Sequence, residues 1–278
     1  MTRLDDADAQ YRAWMRENLA RAAEHFGVTI DGPAHDGWRL RSISAVVQGS
    51  AGRYWLRVLA EQRQWAHGDV WTGNADANDL TGLPKPRVLT VTEWEEGPRR
   101  QRAELMTFMP GEVCSPTDVL RQEIELSNAW WAELRRCVDV LAATPTRRVN
   151  SDGVKVRERL GQFFGDRVDL GALRWETVHG DMHWNNLLRP DFGILDWDLW
   201  GRGPAGTDAA TLYCYSLRTP SMARRVHDTF ADVLDTAAGR VAQLCVIARL
   251  LRRVEQGDHP DLGEPLRRHA DSLLPPSG

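Results

Sequence analysis

Two short apolar runs, Leu187-Leu188 and Ile194-Leu195, flank Arg189-Pro190-Asp191-Phe192-Gly193. Proline, aspartate and glycine in sequence are turn chemistry, so this stretch predicts a tight β-hairpin. The hairpin constrains its surroundings more than any other feature of the chain. It returns Asp196 to the side of Asn186 and sets a carboxylate and a carboxamide together at the open end of the ribbon. Immediately upstream the chain reads His179-Gly180-Asp181-Met182-His183-Trp184-Asn185-Asn186, with Asp181 five residues before Asn186.

A chain of 278 residues has room for two lobes, and an apolar content of 42% supports a sizeable core. No run is long and apolar enough to cross a bilayer, and Met1 to Asp6 carries no charged-then-apolar leader pattern, so a cytoplasmic protein is expected. Cys114, Cys137, Cys214 and Cys245 are widely spaced, which argues against a disulfide framework or a structural zinc site. A net charge of -4 without a basic run argues against nucleic acid and is compatible with a cationic acceptor. Only Lys85 and Lys155 are lysines among 35 basic residues, a bias that suggests a GC-rich bacterial coding sequence.

Tyr11, Trp14, Met15, Leu19, Ala22 and Phe26 recur at helical spacing before Gly27. Strands are expected over Trp38 to Val47 and Arg53 to Leu59, joined by a turn at Gln48-Gly49-Ser50-Ala51-Gly52. A short helix over Asp69 to Leu80 and strands over Arg87 to Val91 and Ala103 to Met109 follow. Ser115-Pro116 predicts a helix start, with helical patterns through Ala142 and again near Val156 to Phe164. Beyond the motif region, helices are expected over Thr207 to Leu217, Met222 to Ala237 and Val241 to Val254, then a loose tail at Pro275-Pro276-Ser277-Gly278. The whole is an α+β, two-lobe arrangement, with a strand-rich lobe over 1–110 and a helical lobe over 111–278. A cleft between two lobes is a usual place for a ligand.

Phosphoryl transfer needs a carboxylate to orient and deprotonate the acceptor hydroxyl, and oxygen ligands that hold Mg²⁺ against the phosphates. Asp181 and Asn186 have the spacing of the Asp and Asn in a kinase catalytic loop, and Asp196 is the further acid that the hairpin supplies. Asp191-Phe192-Gly193 spells a kinase metal motif literally, but it lies in the turn, at the wrong end of the ribbon. The pattern H-G-D-x-H-x-x-N followed by Leu195-Asp196-Trp197-Asp198 resembles the aminoglycoside phosphotransferase and choline kinase superfamily. Gly203-Pro204 and Asp208-Ala209-Ala210 resemble its later motif, with departures, and Glu104 to Gly111 resembles its hinge. The resemblance implies a protein-kinase-like fold, ATP or GTP as donor, Mg²⁺, and a small-molecule acceptor. Carried over, it implies Asp181 as base, Asn186 and Asp196 as metal ligands, His179 as a brace of the loop and Asp208 as structural. It leaves His183 either lining the acceptor site or structural, and Asp198 either reaching the metal site or, the favoured reading, holding the following turn through hydrogen bonds. Thr107, Phe108 and Met109 would offer backbone groups to the nucleotide base.

The first lobe departs from this pattern. Arg57 stands where a phosphate-binding lysine is expected, and Asp76 and Asp79 are candidates for its acidic partner. A glycine-rich phosphate loop is missing; the hydroxyls of Ser42 and Ser44, in Arg41-Ser42-Ile43-Ser44, could replace it. Trp71, Trp94, Trp184, Trp197 and Trp200 lie near the expected cleft, where packing competes with ligand stacking as their role. Two other functions stay open on the residues alone. His179, Asp181 and His183 alternate and could converge on one ion in a metal-dependent hydrolase, and Arg57 with the absent loop would suit a non-catalytic nucleotide sensor. The acidic balance and coding bias favour an antibiotic acceptor, an aminoglycoside or a cyclic peptide such as capreomycin or viomycin, in a resistance setting.

Overall fold

Helix α1 (Arg3–Phe26) ends where the periodicity ends, at Gly27, whose φ of 65° suits glycine. The amides of Gly27 and Val28 close back onto Glu24 O and Ala23 O at 3.1 and 3.0 Å. In this computed structural model, residues 3–275 are described; Pro276-Ser277-Gly278 of the expected loose tail lie outside them. The chain divides into two compact units, one running to Thr81 and resuming over Lys85–Pro110, the other formed by Gly82–Pro84 and the chain from Gly111 onward.

The first unit is α1 against an antiparallel sheet. Short strands β1 (Thr29–Ile30) and β2 (His35–Asp36) precede β3 (Ser42–Gly49) and β4 (Gly52–Gln62), then helix α2 (Asp69–Asp76), β5 (Val88–Glu96) and β6 (Arg99–Thr107). The sheet order is β1-β3-β4-β6-β5, with β2 also on β3. Alternation sorts its two faces. Ile43, Ala45, Val47, Leu56, Val58, Ala103 and Leu105 bury against Met15, Leu19 and Ala22 of α1. Arg57 and Glu104 alternate with those residues and so take the opposite face, Arg57 opposite Ser44 on β3 and opposite Glu104 on β6. The expected strand from Trp38 begins only at Ser42. Trp38–Leu40 form a 3-10 turn in which Arg39 and Leu40 have φ of 50° and 59°, values no strand contains.

Charge on the second face of the sheet is organised as a buried ladder. Arg102 joins Glu93 at 2.7 Å and Glu104 at 2.8 Å, and Trp71 of α2 donates to Glu93 at 2.9 Å. Glu104 and Arg102 are 1% and 7% exposed, so each needs its partners.

The second unit carries strands β7 (Glu112–Val113), β8 (Trp175–Val178), β9 (Leu187–Arg189), β10 (Gly193–Ile194) and β11 (Gly201–Pro204). They form the antiparallel ribbon β10-β9-β7 and the pair β11-β8. Its helices are α3 (Asn128–Ala143), α4 (Gly153–Phe164), α5 (Thr207–Ser216), α6 (Pro220–Leu234), α7 (Ala237–Glu255) and α8 (Gly263–Leu273). Ser115-Pro116 does not start a helix. Ser115 Oγ donates to Val119 O at 3.1 Å and accepts from Thr117 N at 3.3 Å, which makes a turn, and the helix starts at Ser127, whose Oγ caps Trp130 N at 3.1 Å. Helix α8 was not expected from the sequence; Leu266 and Ala270 bury one side of it. No helix among the described residues is long and apolar enough to cross a membrane.

Replacing Arg102 with Leu takes one cationic partner from both Glu93 and the buried Glu104 and leaves Glu104 to Arg57 and Asn74. A loss of about 3 kcal/mol is expected, the scale for breaking a buried pair, and is checked by urea titration of wild type and variant.

Candidate active site

The site is built from the loop between β8 and β9. Gly180 takes φ 84°, and a Cβ there would stand 2.0 Å from Asn150 Nδ2 and 2.9 Å from Leu199 O, so glycine is required twice over. Asp208, in the first turn of α5 and 3% exposed, accepts from His179 N at 2.7 Å and Gly180 N at 2.8 Å. Arg249 of α7 donates to Gly180 O at 2.7 Å and to Thr211 Oγ1 at 3.0 Å. The backbone leading into Asp181 is thus held by a carboxylate on its amides and a guanidinium on its carbonyl. Burial pushes the Asp208 carboxyl up to about 7, against the two amides that favour its anion.

The far side of the loop folds into a 3-10 turn over Trp184–Asn186, and the hairpin β9-β10 follows. Leu195 N donates to Asn186 O at 2.8 Å, which returns the chain beside Asn186, one residue before Asp196. Asp191 lies in the turn at the opposite end, between β9 and β10. Asp196 is a non-glycine residue at φ 57°, a left-handed conformation that costs energy and concentrates at functional sites. Asn186 Nδ2 donates to Asp181 O at 3.0 Å, which spends the nitrogen on the loop and leaves the carboxamide oxygen as the other polar atom. A carboxylate and a carboxamide oxygen are hard ligands that suit Mg²⁺ or Ca²⁺, and the donor set therefore fits the ion.

His179 is fully buried and its Nε2 lies 3.0 Å from Leu195 O, tying β8 to the hairpin. Burial lowers its pKa to about 4, so it is neutral. His183 Nε2 lies 3.4 Å from Asp181 Oδ2 and 3.7 Å from Asp118 Oδ1. Burial opposes its charge, but Asp181, Asp118 and Asp196 together raise its pKa. Burial would also raise Asp181, yet His183 and Arg249 hold its carboxyl down at about 2. Among the described residues no three His, Cys, Asp or Glu side chains form a set that could hold a metal ion, so His179, Asp181 and His183 do not make the alternating hydrolase site. The five tryptophans are spent on structure. Trp71, Trp184, Trp197 and Trp200 are buried, and the indoles of Trp94, Trp184 and Trp197 donate to Asn18, Ser216 and Ile194 O.

In the first unit, Arg57 lies 3.8 Å from Glu104, a further acidic partner, and Asp76 accepts from Thr72 at 2.6 Å. Glu104 is also held by Asn74 of α2 at 3.1 Å. Ser42 and Ser44 belong to strand β3 rather than to a turn, and the turn before it is Gly37 to Arg41. The Ser42 hydroxyl is packed where a Cβ of Gly37 would stand, while Ser44 occupies the row of Arg57 and Glu104. Thr107 N is committed to Arg87 O at 2.9 Å, and Phe108 lies under the Arg53 guanidinium at 4.4 Å. Phe108 and Met109 follow the last paired residue of β6.

Asp118 was not foreseen. Arg253 reaches it at 3.0 Å, and His259 Nε2 and Tyr215 OH at 3.4 Å. Burial would raise its carboxyl, but His259, His183 and Arg253 hold it well below the usual range. Glu104, Asn74 and Arg249 were likewise not assigned these contacts.

No protein-family model and no curated protein sequence matches the chain. Solved structures do. The aminoglycoside phosphotransferase APH(4)-Ia aligns with TM-score 0.63 at 14% identity, over 94% of this chain and 98% of its own. The amicoumacin kinase hAmiN, in complex with AMP-PNP, Ca²⁺ and Ami, aligns with TM-score 0.57 at 13% identity over 93% and 92%. Spectinomycin phosphotransferase APH(9)-Ia, in complex with ADP and spectinomycin, aligns with TM-score 0.54 at 10% identity over 91% and 93%. At these identities the likeness is one of fold: the chain has the two-part, kinase-like α+β fold of these proteins.

Two neutral imidazoles, the buried His179 and the half-buried His269, weaken the fold in acid. His179 and His269, the latter 2.8 Å from Gln243 Oε1, both titrate near 4 when folded because burial disfavours the cation. At these two sites, between about pH 6.5 and 4, the unfolded chain binds protons that the folded chain refuses, so their contribution to stability falls as pH falls through that window, while Asp208, raised to about 7, takes its proton earlier in the folded chain and opposes it. Melting curves across it are expected to show a slope that His269→Gln reduces by about one proton.

Proposed function

We propose that the protein is a phosphotransferase that moves the γ-phosphoryl group of ATP or GTP onto a hydroxyl of a small-molecule antibiotic, an aminoglycoside or a cyclic peptide, as a resistance enzyme. One observation carries this reading: the amide of Asn186 grips the carbonyl of Asp181, and the hairpin backbone joins Asn186 to the residue before Asp196. The kinase-like fold supports it, as do fold neighbours described as antibiotic phosphotransferases in complexes with ADP or AMP-PNP.

In this mechanism Asp181 accepts the hydrogen bond of the acceptor hydroxyl. Its depressed pKa, about 2, keeps it ionised, and His183 on Oδ2 leaves Oδ1 for the acceptor. Asn186 Oδ1 and the Asp196 carboxylate would hold Mg²⁺, which when bound would supply charge neutralisation at the phosphate oxygens. Asp208 and Arg249 keep the Asp181 backbone fixed, so that little reorganisation is needed as charge develops. Arg57, oriented by Glu104, contacts the triphosphate with Ser44 beside it; Phe108 and Met109 address the base. Asp118 and His183 border the acceptor, where a cationic group meets carboxylate.

The test is incubation with ATP, Mg²⁺ and a panel of antibiotics from several classes, read by nucleoside diphosphate release and by mass gain of the acceptor. Release that depends on an acceptor, with one phosphoryl group added to it, is expected; no acceptor-dependent release across the panel refutes the assignment. Asp181→Ala is expected to lower turnover at least ~100-fold while AMP-PNP still binds. Arg57→Ala is expected to raise the nucleotide KM about 10-fold, and an unchanged KM would leave Arg57 as a structural residue.

A further inference from the structure

Behind the catalytic loop lies a cavity of ≈ 40 Å³, walled by α4, α7, the start of α5 and the segment at Asn150-Ser151. Two of its lining residues touch Gly180 directly. Arg249 donates to Gly180 O at 2.7 Å, and Asn150 Nδ2 fills the space in which a Gly180 Cβ would stand. No Asp or Glu lines it, whereas Arg159 and Arg249 both do.

The charge balance around these guanidiniums is uneven. Arg249 faces Asp181 and Asp208 on the loop side. Arg159, half-buried on α4, has no carboxylate partner among the described residues. Its electrostatic neighbours are Arg249, Arg252 and the thiol of Cys245, and burial holds that thiol neutral, near 12. Burial and the two arginines together depress the Arg159 pKa. Uncompensated guanidinium beside a second fork is the arrangement that recognises oxyanions in bidentate fashion. The volume exceeds the roughly 10–15 Å³ that one water needs and falls far short of the several hundred Å³ typical of an organic-ligand pocket.

We propose that this cavity is a binding site for a small tetrahedral oxyanion of the phosphate class, and that its occupancy reaches the catalytic loop through Arg249. The binding stands alone; only the effect on turnover rests on the function proposed above. An anion between Arg159 and Arg249 offsets their repulsion and draws on the guanidinium that otherwise serves Gly180 O.

Thermal melting in sodium phosphate against sodium chloride of equal ionic strength tests the site without any turnover. Wild type and Arg57→Ala are expected to gain about 2–4 °C at saturating phosphate, the size of shift that a ligand of modest affinity gives a chain of this length. Arg159→Gln is expected to gain nothing, and in phosphate-free buffer to melt no lower than wild type, because a like-charge contact is gone. An equal gain in Arg159→Gln, loss of the gain in Arg57→Ala, or an equal gain in chloride would overturn the site. A nucleoside monophosphate giving the same Arg159-dependent shift would overturn the size assignment. If phosphate changes kcat at saturating ATP and acceptor in wild type but not in Arg159→Gln, the coupling holds; an unchanged wild-type kcat refutes it.

Discussion

A single buried carboxylate, that of Asp208, fixes the loop on which the site is built. It takes two consecutive amides, His179 N and Gly180 N, and so dictates the direction in which the chain leaves β8. Without an acceptor there, two amide donors would lie unpaired in a region where His179 and Asp208 are almost wholly buried. The left-handed turn at Gly180 is then the only way forward for the chain, and the Asp181 side chain emerges beside His183. Arg249 completes the clamp from the carbonyl side.

Electrostatics at the loop follow from this packing. Asp181, Asp118 and Asp196 converge on His183, and Arg249 and Arg253 stand behind two of them. Neighbouring carboxylates repel one another; the imidazole and the arginines offset that repulsion and hold Asp181 and Asp118 below the usual carboxylate range. The pair formed by Asp118 and Arg253 further anchors the α7–α8 connection, where His259 adopts φ 47° and reaches Asp118. A non-glycine residue in that conformation is held by its contacts rather than by its own preference.

The hairpin was legible because turn residues sit between two apolar pairs, and that pattern has few alternative registers. The helices of the second unit were legible where apolar periodicity was long, as in α3 and α7. Asp118 was hidden because Ser115-Pro116 carries the same signal for a turn as for a helix start, and only the tertiary fold decides between them. Glu104 was hidden for a different reason. Its pairing with Arg57 depends on the register between β4 and β6, strands separated by a helix and another strand, and no local pattern encodes that register. The turn before β3 was misplaced by a few residues because left-handed Arg39 and Leu40 are not residue types that announce such a conformation. Helix α8 had a readable signal, Leu262, Leu266 and Ala270 at four-residue spacing, in a short segment interrupted by Pro265.

The acid opposite Arg57 across the sheet is borne by a strand, and its place is fixed by the register of β4 on β6. Helix α2 lies against the same row, with Asn74 on Glu104 and Trp71 on Glu93. Two acids of the ladder therefore lean on one short helix, and any change that unseats α2 would be felt at both together.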